Sequence, residues 1–561
     1  MPAAADFAPL LDQALARVEH VPGSGVVLEG SIAEGFGNAR SDVDFLLIEP
    51  AADRPTMPSV LFLDGRRVEV RSRSVAQVER QFAAVLAAER SDRTVAALGD
   101  DLLNRCQRLL FSVPMREPGV LEGAAGALTR ERFAAIVGRW WRHQARQSLR
   151  LAVALTALGQ HEEAAAWAET GLLQAAKSWA AAAGETYVEP KWTALQLARI
   201  PDGAQIAARY DALAQRPADP SPAIQQAYVA AARSLAGELG TDGIEDDPGR
   251  VVLERVPHVT TWPTGEGLHV IRGHDDAFTL GPAAARAWRQ VVFGRTLPDT
   301  LERAARAAGG DADAGALLAT FLRYGFVRLA WEGRPGRGTI RPYVPLLGPL
   351  APATPAPRRE APVIALRGDR SLAPDAVALL PLPAPRLAEA AATIEWANVL
   401  VENAREDLLG ALADEQWQVA THSAHRMLLV ACRVVLAAQG MVPLPAHADL
   451  LRVLREAGIP GTEPLIAEAA TLELHAIRDA EDGDRALHAL DRFAAQARAL
   501  ARADAFPSSF ESPEDWRRTI EFSYDWLRLC AYLDSGIPID EARDLLATGG
   551  QQPHITAGGD A

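Results

Sequence analysis

Lysine is almost missing from this chain: of 57 basic side chains in 561 residues, only Lys177 and Lys191 are lysine. Arginine supplies generic positive charge here, so a lysine that persists marks a place where a compact ammonium matters. Cysteine is scarce as well. Cys106, Cys432 and Cys530 lie far apart with no metal-ligand spacing, which excludes a disulfide scaffold and points to a reduced, cytoplasmic compartment. No apolar run approaches the length that spans a bilayer. Met1 to His20 carries Asp6 and Asp12 and lacks a basic region followed by an uninterrupted apolar core, which excludes a secretory signal. The formal charge of −15 argues against attraction to nucleic-acid backbone as the main activity, although a local basic groove stays open.

What is present is an ordinary globular balance, 48% hydrophobic and 23% charged, enough for several cores. The length predicts roughly three or four domains. The most informative stretch begins at Gly25-Val26-Val27-Leu28-Glu29, a short strand broken by Gly30-Ser31. Backbone N–H groups and the Ser31 hydroxyl at such a turn are suited to phosphate oxygens. After a helical turn and a loop, Asp42 to Ile48 has the composition of a buried strand. Residues two apart on a strand share a face, so Asp42 and Asp44 project together while Val43 and Phe45 point into the core. Two adjacent carboxylates repel unless a cation sits between them, and Mg2+ takes oxygen ligands. A third carboxylate is offered by a hairpin: Val60 to Leu63, the turn Asp64-Gly65, and Arg66 to Arg71. There Glu69 lies between Val68 and Val70.

This ordered set, Gly30-Ser31, Asp42-x-Asp44 and Val68-Glu69-Val70, resembles the polymerase-beta-like nucleotidyltransferase superfamily over roughly the first 120 residues. The resemblance implies an Mg-dependent enzyme. It would transfer a nucleoside monophosphate, AMP from ATP in the first instance, to an acceptor hydroxyl or amine. Asp42, Asp44 and Glu69 would hold two Mg2+ ions, and Gly30 and Ser31 would hold the outgoing phosphates. Lys191 and Lys177 would support them, with Glu163 or Glu169 as a further candidate base.

The remaining chain is modular. Glu131 to Ala183 is Ala- and Leu-rich, free of proline and broken at Gly159-Gln160, which predicts a helical hairpin. Arg139, Arg142, His143, Arg146 and Arg150 form a basic stripe on it, facing either phosphates or acidic neighbours. The element Lys191-Trp192 resembles one that follows the helical hairpin in related transferases. By that resemblance Lys191 contacts nucleotide phosphates and Trp192 walls the pocket; the alternative is a Trp that anchors the loop. From Val251 to Trp331, four short strands, three helices and a closing strand predict a winged-helix module. Phe278-Thr279-Leu280-Gly281, Arg295-Thr296-Leu297 and Phe321-Leu322-x-x-Gly325-Phe326-Val327 make it similar to the recognition element of ribosomally made, modified peptides. That resemblance implies binding of a leader peptide as an added strand. Gly333 to Arg386 is a Pro/Ala-rich extended linker with a strand at Val363 to Leu366. Leu387 to Ala547 is helical again and echoes the first bundle: Gly184 aligned with Gly440 sets Lys177 against Arg433. It resembles the higher eukaryote and prokaryote nucleotide-binding class, without the Arg and His spacing of that class's ribonucleases.

The expected architecture is therefore α+β and multidomain. It comprises a catalytic mixed sheet with helices at 1–125, a helical substrate domain at 126–240, a winged-helix peptide-binding module at 250–332, a linker at 333–386 and a helical bundle at 387–548. The expected partners are a nucleoside triphosphate and an acceptor, either a leader-bearing peptide or a small molecule, with no membrane and no nucleic acid. The alternative is an adenylylating antitoxin, or a regulatory scaffold that has lost transfer.

Overall fold

The computed structural model describes residues 4–501, apart from 39, 51–58, 122–127, 202, 244–246, 265–266, 273–275, 310–311, 333–342, 346–362, 366–383, 439–443, 445–446, 458, 460 and 473–475. Most of the expected linker and the expected helical segment beyond 501, with Cys530, lie outside the described residues.

Helix α1 (Ala4–Leu15) precedes strand β1 (Gly25–Glu29), a single helical turn α2 (Gly30–Ala33), and strands β2 (Val43–Glu49), β3 (Ser59–Leu63) and β4 (Arg66–Ser74). Helices α3 (Val75–Ala88), α4 (Asp92–Ala96) and α5 (Asp100–Leu110) follow, then β5 (Val113–Arg116). The five strands form one mixed sheet in the order β3-β4-β2-β1-β5. Strands β2 and β4 run parallel, and every other neighbouring pair is antiparallel. Asp64 and Gly65, both at positive φ, close the β3–β4 hairpin as the Asp-Gly turn requires.

Strand alternation divides the sheet into two buried layers. Val26, Leu28, Val43, Phe45, Val68 and Val70 pack under α1, and Val27, Leu46 and Ile48 pack under α3 and α5. The capping box of Ser74 and Gln77 starts α3 directly from β4.

The first helical hairpin is α6 (Arg130–Ala157) and α7 (His161–Ala182), followed by a 3-10 turn at Pro190–Trp192 and by α8 (Thr193–Arg199), α9 (Ala204–Asp211) and α10 (Pro222–Glu238). Next come β6 (Val251–Arg255), β7 (Val259–Thr264), β8 (Gly267–Arg272), β9 (Asp276–Leu280), α11 (Pro282–Trp288), α12 (Leu297–Ala308), α13 (Ala314–Arg323) and β10 (Val327–Glu332). These strands make two small sheets rather than one. β6 pairs with the closing strand β10, whereas β7, β8 and β9 form a meander. Two segments of the Pro/Ala-rich stretch extend them, β11 (Tyr343–Pro345) on β10 and β12 (Val363–Ala365) on β9. Pro263 sits on β7, an edge of its sheet, where a missing N–H costs no ladder bond. Trp288, Phe321, Phe326 and Phe278 pack edge-to-face beneath.

The second hairpin is α14 (Ala384–Ala413) and α15 (Trp417–Ala438), followed by α16 (His447–Ala457), α17 (Glu463–Leu472) and α18 (Ala480–Ala501). The register that aligns Gly184 with Gly440 lays α7 on α15 bound for bound, His161 on Trp417 and Ala182 on Ala438. The ends of α6 and α14, Ala157 and Ala413, coincide too. In the register of the sequence echo, the two hairpins thus share these helix bounds.

Candidate active site

The strand register delivers a row of carboxylates. Glu29 of β1 stands opposite Asp44 of β2, and Asp44 stands opposite Glu69 of β4. Of the three carboxylates expected on one face, Asp44 and Glu69 are register partners, while Asp42 precedes β2 and lies close enough to feel the charge of both; Glu29 joins them from the residue just before Gly30.

Neighbouring strands lie about 4.8 Å apart, so this row needs positive charge, and arginines provide it. Arg108 of α5 places Nη2 2.8 Å from Asp44 Oδ2 and Nε 3.2 Å from Glu29 Oε1. Arg71 Nε lies 2.8 Å from Glu69 Oε1, and its Nη1 3.5 Å from Glu29. Arg67 Nη1 lies 3.3 Å from Asp42 Oδ2 and 3.2 Å from Glu406 Oε2, on α14 of the second hairpin. Burial pushes the Asp42 carboxyl up to about 7; Asp44, Glu406 and Glu69 add to this and Arg67 opposes it.

Gly30 is held at φ +80°, and a Cβ there would collide with the Asp44 carboxylate and come within 3.0 Å of Arg108 Nη2. The backbone must therefore approach the carboxylate row bare. Ser31 begins the loop that returns through Phe36 and Gly37, whose N–H groups both donate to its carbonyl, at 2.8 and 2.9 Å. Its hydroxyl has no hydrogen-bond partner among the described residues.

Asp42, Asp44 and Glu69 fit a hard divalent cation in donor type. All three offer carboxylate oxygens, and each keeps one oxygen outside the ion pairs above. The arrangement is not yet that of a bound ion. Among the described residues no group of three or more His, Cys, Asp or Glu side chains is gathered to hold a metal. The arginines draw the three carboxylates to separate partners, so a cation would have to displace guanidinium groups.

The two lysines differ from expectation. Lys177 is buried and aimed away from the row. It donates to the carbonyls of Tyr187 and Glu189 at 2.9 and 2.6 Å and to Gln196 Oε1. Its three N–H groups are spent on holding the loop after α7, so none is left for a nucleotide. Lys191 ion-pairs Asp407 of α14 at 2.5 Å and stands over the Trp192 ring. Trp192 itself is buried and stacks on Phe36, 5.5 Å between centroids, so it anchors the glycine-serine loop to the helical domain.

The two further base candidates are structural. Glu163 is buried between Arg323 and Arg452, and Glu169 pairs with Arg216. In the basic stripe, Arg139 pairs with Asp92, and Arg146 and Arg150 bond the loop at Asp242 and Gly243.

Sequence reasoning missed Glu29, Glu34, Arg108 and Glu406. Glu34 ends the helical turn beside the row, accepts from Gln107, and is pushed up to about 8 by burial, with that hydrogen bond opposing. Continuing the β1 alternation from Val27 would have exposed Glu29. Arg108 and Glu406 come from distant helices and leave no local signal.

No protein-family model and no curated protein matches the chain. No helix among the described residues is long and apolar enough to cross a membrane.

Proposed function

We propose that this protein is a nucleotidyltransferase that moves a nucleoside monophosphate, AMP from ATP in the first instance, to an acceptor hydroxyl or amine. One observation carries the reading: Asp44 and Glu69 are register partners on parallel strands, with Asp42 close to both and a glycine at φ +80° against Asp44, where a Cβ would meet the carboxylate. Mg2+ would be held by Asp42, Asp44 and Glu69, and when bound it supplies polarisation of the reacting phosphate and neutralisation of the departing pyrophosphate. Gly30 lets the triphosphate approach the row, and the uncommitted Ser31 hydroxyl donates to one of its oxygens. Arg108, on leaving Asp44, turns its charge to the phosphates. Lys191 does the same once it leaves Asp407. Positioning and charge neutralisation supply most of the acceleration.

The module at 250–332 serves in this reading as a winged-helix element that recognises a peptide acceptor. Support comes from β9, which takes the chain's own Val363–Ala365 as an antiparallel neighbour and is therefore competent for strand addition. The second hairpin is a binding bundle of the nucleotide-binding class, laid against the row through Asn403, Glu406 and Asp407.

A regulatory protein without transfer is the second reading, favoured by the pairing of Asp44 and Glu69 with arginines. Mass measurement after incubation with each nucleoside triphosphate, Mg2+ and candidate peptide or small-molecule acceptors separates the two. The first reading expects a gain of one nucleoside monophosphate that Asp44→Asn abolishes; full activity in that variant refutes the site.

A further inference from the structure

We propose that the seam between the two helical hairpins holds a second site, for a phosphate-bearing small molecule, anchored by Arg433. This goes beyond nucleotidyl transfer and does not depend on it.

His422, His425, Arg426 and Arg433 recur on α15 at spacings of three, four and seven residues, which puts them on one stripe. The stripe starts beside Lys191 and Lys177, whose charges act on His422, and ends beside His447 at the start of α16, on which Arg433, His425 and Arg426 act. His447 keeps substantial solvent exposure, yet burial pushes its imidazole down to about 4.

Arg433 is part-buried and has neither an ion pair nor a hydrogen bond among the described residues, and its Nε is sealed from solvent without an acceptor. His425 Nε2 is sealed in the same way. The acids around the seam are already committed: Asp407 to Lys191 and Arg426, Glu169 to Arg216, and Glu163 to Arg323 and Arg452. In a chain of net charge −15 an unpaired guanidinium in such a place calls for an anion.

The hairpin repeat sharpens the point. Arg433 occupies the step that Lys177 occupies in the first hairpin, and Lys177 has three oxygen acceptors built around it. The second copy keeps the cation, and no acceptor for it stands among the described residues. A carboxylate would be served by one guanidinium fork alone. Two arginines with imidazole N–H donors approaching from two helices suit the several oxygens and double charge of a phosphate. A nucleotide acting as effector and a phosphorylated acceptor share that chemistry.

Calorimetric titration of the full chain, without divalent cation, with inorganic pyrophosphate, AMP and glycerol phosphate tests this. Binding that weakens at least tenfold in Arg433→Met is expected, together with a pyrophosphate-dependent rise in Tm that Arg433→Met loses. Because the free arginine is unpaired, Arg433→Met should unfold no earlier than the parent. AMP binding more tightly than glycerol phosphate identifies a nucleotide, and equal binding identifies a phosphorylated acceptor. Absence of binding by all three ligands, loss of binding in Asp44→Asn but not Arg433→Met, or a destabilised Arg433→Met variant would each overturn the proposal.

Discussion

Glu163 and Arg452 stand 289 residues apart in the chain and meet at 2.7 Å, Oε1 accepting from Nη2. Glu163 Oε2 takes Arg323 at 3.2 Å. One carboxylate, 2% exposed, thus ties α7 both to the module before the Pro/Ala-rich stretch and to the second bundle after it.

Glu163→Ala leaves two guanidinium groups without their buried counter-charge and should cost about 3–5 kcal/mol. Urea unfolding followed by circular dichroism should show a lowered midpoint, with the second bundle melting apart from the rest. A variant that kept full stability but lost turnover would restore Glu163 as a catalytic base.

Lys177→Met removes the ammonium and strands three oxygen acceptors that no water reaches easily. The expected loss is about 2–4 kcal/mol in denaturant unfolding. Nucleotide affinity of the folded fraction should not change. A selective loss of ATP binding would return Lys177 to the phosphate site.

The candidate site was legible wherever its chemistry was local to one strand or one turn. The Asp64-Gly65 hairpin and the pairing of Asp44 with Glu69 follow from residues within a few positions of one another and stand in the fold, while Asp42 falls just before β2 rather than on it. Lys177, expected near phosphates, is instead spent on three acceptors of the loop after α7, because burial, not sequence, decides what a cation binds. Arg67, Arg71 and Arg108 were invisible as partners because arginines are common here and only the fold brings α5 to the row. The hairpin repeat was legible from phase alone, since the two copies keep helix bounds as well as apolar positions.

Gly30→Ala must place a side chain at φ +80° and against Asp44. A cost of about 1–3 kcal/mol in stability is expected from the backbone alone. ATP affinity should fall much further than stability, as read by equilibrium dialysis with labelled ATP. Parent-like affinity would show that the approach to Asp44 is not where phosphate sits.

Lys191 is committed to Asp407 in this structure, at 2.5 Å, and Arg426 contributes at 3.5 Å on the other carboxylate oxygen. If Lys191 serves phosphate, it must first leave that pair. Asp407→Asn should therefore tighten ATP binding roughly three- to tenfold, since a partly exposed pair of this kind is worth about 1 kcal/mol. The same titration on Lys191→Ala should show the opposite sign. Weaker ATP binding in Asp407→Asn would make Asp407 itself part of the nucleotide site.

His422 and His425 give the fold an acid-sensitive seam. Burial, first, pushes their imidazoles down to about 3 and about 4. The positive charges of His425, Arg426, Lys191 and Lys177 add to it for His422, and that of Arg216 for His425. An unfolded histidine titrates near 6.5, so between pH 6.5 and 4 the unfolded chain binds protons that the folded chain refuses. The stability these neutral rings contribute is present above pH 6.5 and is lost as pH falls through 4. Because both rings keep some solvent contact, the loss for the pair should be on the order of 2–3 kcal/mol rather than the full sum of the shifts. Urea midpoints measured from pH 7.5 to 4.5 should decline for the parent and decline less for His422→Gln/His425→Gln. Pyrophosphate bound beside Arg433 would favour the protonated rings and bring their folded-state pKa closer to 6.5, so its presence should make the decline shallower. A parent profile that matches the double variant, with or without pyrophosphate, would remove the histidines from the account.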